Sequence, residues 1–210
     1  MAQTLKKLPY LFLLTLALGL SAAARAGSAD GLRIALRTGD VDAVRKVLEN
    51  GAPATGAGQI RGGDPHAVEL MKLLLDHGMS IKKEEKDYNW VADAGNIGNS
   101  LACTAAAAGN NELLKFELAH GAAPDGVYGQ RPLHCAVQGL TIFGYKSRMA
   151  SKEVHHADIE GIGILLDAGA NPALRDSNGK SFVQNAETDE DRAAVLKLLS
   201  GRKIDTGALQ

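Results

Sequence analysis

Apolar side chains recur at fixed distances ahead of four glycines: Gly51 in VLENGA, Gly78 in LLDHGM, Gly121 in ELAHGA and Gly169 in LLDAGA. Counting back ten, seven, four and three places from Gly51 meets Val41, Val44, Val47 and Leu48. The same steps from Gly78 meet Val68, Met71, Leu74 and Leu75, and from Gly169 they meet Ile159, Ile162, Leu165 and Leu166. Such offsets put side chains on one face of a helix, and a glycine at its end supplies the left-handed residue that closes it. Each glycine therefore predicts the end of an amphipathic helix. The Gly121 copy departs from the pattern, with Asn111 and Glu117 in two slots and Leu114 and Leu118 in the others, so its helix is expected to pack less well.

Upstream of these helices, shorter alanine-rich apolar segments predict partner helices at Leu32 to Arg37, Leu101 to Ala108, Pro132 to Gln138 and Phe182 to Ala186. A short helix pair cannot bury its apolar face alone, so a core forms only when neighbouring pairs stack. Small residues on the partner segments let those neighbours approach closely. About five units are counted, the second lacking most of its first helix because TGAGQIRGGDP is glycine-rich and reads as loop.

The stretch GQRPLHCAVQG, with GDVDAVRKVLENGA and GNNELLKFELAHGA, resembles the ankyrin repeat over most of Gly31 to Gly201. In that family a hairpin leads into Gly-x-Thr-Pro-Leu-His-x-Ala-Ala and a second helix ends in Leu-Leu-x-x-Gly-Ala. Pro132, Leu133, His134 and Ala136 match the first motif, with Arg131 in the threonine slot. RDSNGKSFVQNA is similar to a last hairpin and helix start, with Ser181 in the threonine slot and Val183 in the leucine slot. The resemblance implies an all-α fold, an ankyrin-repeat solenoid of stacked helix pairs with hairpin-like fingers. It also implies that His134 hydrogen-bonds within the hairpin and helix start, and that the molecule binds another protein through its fingers and concave helical face.

Ankyrin units recur at about 33 residues, whereas the glycine anchors here stand 27, 43 and 48 apart. The two surpluses place insertions near 80–99 and 140–157, in loops that such stacks commonly use for binding. Tyr88, Trp90, Tyr128, Phe143 and Tyr145 fall in fingers or insertions, and only Phe116 and Phe182 fall on repeat helices. Aromatic anchors are enriched at the buried centres of protein interfaces. Tyr88, Trp90, Tyr128, Phe143, Tyr145 and the nearby Arg148 are therefore the candidate partner-binding residues, against the alternative that the aromatics fold back over abbreviated helices. Lys146, Arg148 and Lys152 suit an acidic partner surface.

Ahead of the repeats, Lys6 and Lys7 precede a largely apolar run from Leu11 to Leu20 and then Ala24-Arg25-Ala26. A basic end, an apolar stretch too short for a bilayer and an A-x-A site predict a secretory signal peptide over 1–26, cleaved after Ala26. The repeat domain then covers 27–204 and 205–210 is a C-terminal tail. Cleavage removes Lys6, Lys7 and Arg25 and no acid, leaving 20 basic against 24 acidic residues and a formal charge of −4. That balance gives no support to a nucleic-acid partner, and the expected product is periplasmic, monomeric when free and without stable membrane insertion.

Candidate chemistry is sparse. His155 and His156 adjoin Glu153 and Asp158, but neighbours on a helix point apart and zinc needs three or four converging ligands. Cys103 and Cys135 lie 32 apart on adjacent first helices. An oxidising compartment permits a bridge, yet equivalent places on stacked helices are separated by about 8–10 Å, beyond disulfide reach unless the side chains face one another, so two buried thiols are expected. The acids of ETDEDR, from Glu187 to Arg192, suit the start of a last helix. Neither a catalytic set nor a cofactor or metal site is assigned, and a non-catalytic role is expected. Exported ankyrin-like proteins of bacteria include immunity proteins that block toxins, the first expectation. The alternative is an accessory factor stabilising a periplasmic enzyme such as a catalase in peroxide resistance, and the least expected is a metal-dependent enzyme.

Overall fold

The computed structural model describes residues 28–82, 100–127, 131–138 and 156–209. Those residues are all-helical: α1 (Ala29–Thr38), α2 (Val41–Glu49), α3 (Ala67–Asp76), α4 (Leu101–Ala107), α5 (Asn111–Ala119), α6 (Pro132–Gln138), α7 (Ile159–Asp167) and α8 (Asp189–Gly201). Two short 3₁₀ turns, Ala57–Gln59 and Val183–Asn185, complete the set. The last partner segment, expected as a helix over Phe182 to Ala186, is thus a single turn, closed where the Ala186 N–H donates to the Val183 carbonyl. No described helix is long and apolar enough to cross a membrane.

The anchor glycines end four helices as the pattern requires. Gly51, Gly78, Gly121 and Gly169 have φ of 87, 91, 98 and 92°, a region that costs any other residue about 1–2 kcal/mol. Behind each one the next N–H reaches back over the last turn. The Ala52 N–H donates to Val47, Met79 to Leu74, Ala122 to Glu117 and Ala170 to Leu165, at 2.9–3.2 Å. These bonds satisfy carbonyls that a helix end would otherwise leave open.

The elements pack in two rows. One holds α1, the Ala57–Gln59 turn, α4, α6 and the Val183–Asn185 turn; the other holds α2, α3, α5, α7 and α8. Each element touches its successor in its own row, and α1 with α2, α4 with α5 and α6 with α7 touch across the rows. A core of leucine, isoleucine, valine and alanine runs continuously between them. Within it the seven-back residues Val44, Met71, Leu114 and Ile162 are each fully buried. In α5 the odd residue Glu117 is also inside, 2% exposed, at the slot filled by Leu74 in α3 and Leu165 in α7.

Cys103 and Cys135 are joined in a disulfide with Cα atoms 5.4 Å apart, which corrects the expectation of two free thiols. The two side chains therefore face each other, and the small Ala102, Ala105, Ala106 and Ala136, all buried, let the backbones close to bridging distance.

Beyond α8 the chain turns back over the last unit. Leu209, in the stretch read as a tail, is buried, the Ser181 hydroxyl donates to its carbonyl, and the Arg175 guanidinium donates to the Ala208 carbonyl at 2.7 Å. This segment closes the end of the core left short by the missing helix.

Candidate functional site

The six candidate partner-binding residues, Tyr88, Trp90, Tyr128, Phe143, Tyr145 and Arg148, lie outside the described residues, as does His155. The structure defines where the segments carrying them are rooted. The first insertion leaves the core at Ile81, 1% exposed, and rejoins it at Ser100, 0% exposed. The second leaves at Gln138, the end of α6, and returns at His156.

That return point is clamped. The Asp158 N–H donates to the Ala136 carbonyl at 2.9 Å, tying the start of α7 to α6. Asp191, in the first turn of α8, accepts from the Ala157 N–H at 3.2 Å and from the Thr188 hydroxyl at 2.7 Å, and its carboxylate lies 3.3 Å from His156 Nδ1. Burial alone would raise the Asp191 pKa, but the bonds from Thr188 and Ala157 and the His156 charge outweigh it and hold the carboxyl below its ordinary value. Reading ETDEDR as a helix start found the cap, since Thr188 accepts from the Asp191 N–H at 3.0 Å. It missed the clamp, which joins residues 34 apart in the chain.

Fingers meet beside His134. An antiparallel bridge pairs Arg175 with Ser181, and the turn between them passes through Gly179. His134 Nε2 lies 3.1 Å from the Lys180 carbonyl of that hairpin, and its ring sits edge-on to Phe182, with centroids 6.2 Å apart. Burial lowers the His134 pKa, against the opposing pull of the Lys180 carbonyl and the Asp176 charge. A buried imidazole bonded to a backbone carbonyl of the next unit thus joins α6 to that unit's hairpin. One finger further binds the other where Asp125 accepts from the Asn171 N–H at 2.7 Å.

No protein-family model and no curated protein matches this chain.

In the described part, then, His134, Asp191 and the disulfide each fasten one unit to the next. The described residues on either side of the two insertions, Ile81, Ser100, Gln138 and His156, belong to or adjoin this fastened stack.

Proposed function

We propose that this chain is an exported, non-catalytic ankyrin-repeat solenoid that works by binding another protein, and that it serves as an immunity protein covering the active site of a toxin. The observation that carries the exported part of the reading is the Cys103–Cys135 bridge, since structural disulfides belong to oxidising compartments. The repeat reading is supported by the four glycine-closed helices in one row and by His134 in its hairpin contact. The binding reading is supported by the sequence positions of Tyr88, Trp90, Tyr128, Phe143 and Tyr145, which fall between the stretches with the repeat-helix pattern. Large apolar groups outside a core are otherwise unfavourable, and at interfaces they supply most of the affinity.

A pull-down from periplasmic extract and from medium conditioned by competing bacteria tests this, using the mature chain beside its Trp90→Ala, Phe143→Ala, Tyr145→Ala variant. The expected result is one protein captured by the wild type, inhibited on binding, and lost by a variant that keeps its helical circular dichroism. Capture of a resident enzyme whose activity rises or persists would favour the accessory role. Equal capture by both chains would move binding off the insertions.

A further inference from the structure

Charges along the outer row repeat in register with the glycines. Nine places before each anchor stand Asp42, Glu69, Glu112 and Glu160, and six places before stand Arg45, Lys72, Lys115 and Gly163. The base of one unit meets the acid of the next: Arg45 pairs with Glu69 at 3.8 Å and Lys115 with Glu160 at 3.0 Å. By the same register Lys72 should pair with Glu112. It does not, and both side chains instead line an open crevice of about 730 Å³ between α3 and α5, walled by Asp64, His66 and Glu69 on one side and Asn111 on the other.

Three further features fall at this junction. At the helix start His66 makes no side-chain cap for α3, and the Asp64 carboxylate accepts from the His66 N–H at 2.8 Å instead, whereas Asp40, Asn110, Asp158 and Thr188 cap α2, α5, α7 and α8. The inner row is thin, with the short Ala57–Gln59 turn beside α4, as the Val183–Asn185 turn is beside α6 at the far end. And Gly62 lies close against the far side of the junction. A side-chain carbon at Gly62 would collide with the Thr104 carbonyl, while Asn110, besides capping α5, donates to the Gly62 carbonyl at 2.8 Å. The next junction is the opposite case, pinned by the disulfide in the inner row and by Lys115–Glu160 in the outer.

We infer that the α3–α5 junction is a hinge, pivoting where Gly62 meets Thr104 and Asn110 and closing when Lys72 reaches Glu112, beside a junction that is covalently locked. Closing it changes the curvature of the stack by completing the ladder of ion pairs. Use of that motion to fit a protein partner rests on the binding reading; the hinge itself does not, and it is measured on the free chain, so the two fail separately.

The test is a distance distribution by pulsed electron spin resonance on the oxidised chain, with spin labels at the exposed Lys46 and Ala119 spanning the hinge. A control pair at Ala119 and Lys197 spans the locked part. The expected result is two populations across the hinge and one across the control. Lys72→Glu or Glu112→Lys alone should remove the closed population, and the double exchange should restore it, because it remakes the pair with its sign reversed. A single distance across the hinge, or two populations indifferent to these charges, would overturn the inference.

Discussion

Charging the His134 imidazole would place a cation beside Phe182 in a site 5% exposed, with the Lys180 carbonyl as its one close partner. Its folded-state pKa therefore lies below the ordinary 6.5. Between those two values the unfolded chain binds more protons than the folded one, so stability falls as the pH drops below about 6.5 and is unaffected above it. His134→Gln, which copies Gln184 at the matching place of the last unit, should flatten the urea midpoint against pH just below 6.5. Asp191 acts in a separate window. Its depressed pKa contributes stability that is present above 3.8 and lost as the pH falls through the folded value, so Asp191→Asn should leave the His134 step in place. The motif marked His134 as a structural hydrogen-bonding residue but not its partner, which is the Lys180 carbonyl of the next hairpin, 46 residues on; Asp191 gave no signal, because a carboxylate that clamps a distant backbone N–H looks in sequence like any acid in a first turn.

At the scale of elements, the helix ends and apolar faces could be read directly, since each depends on residues within one turn of each other. Pro132 to Gln138 was placed to the residue. What depends on the relation between elements was harder. The 32-residue spacing of Cys103 and Cys135 suggested equivalent places on neighbouring helices, and only the 5.4 Å approach of their Cα atoms shows that the side chains face one another. The alanines that permit the approach were visible, but their consequence was not. Closing a loop of that length should contribute about 3–4 kcal/mol by restricting the unfolded chain. Reduction, or Cys135→Ala, is accordingly expected to lower the unfolding free energy by about that amount in a urea titration, with α4 and α6 the first helices to exchange their amide hydrogens. An unchanged midpoint would mean that the stack holds this junction without its bridge. The same limit explains Glu117, whose place in the apolar register was seen while its burial was not.

For the whole molecule, two rows of helices leave the stack with ends, and the C-terminal end is covered by the segment that buries Leu209. The result is a support stiffened by a disulfide, a histidine contact and an aspartate clamp, with an open junction toward its N-terminal side. Every functional reading of that support, inhibitor or accessory factor, requires the chain to work outside the cytoplasm. The most direct measurement is therefore the intact mass of the chain recovered from the periplasm of its own cells, before and after alkylation under denaturing conditions. The expected chain begins at Gly27, is two hydrogens lighter than its reduced form, and takes up no alkyl group until it is reduced. A chain retaining residues 1–26 in the cytoplasm, or one alkylated at both Cys103 and Cys135 without reduction, would contradict that expectation.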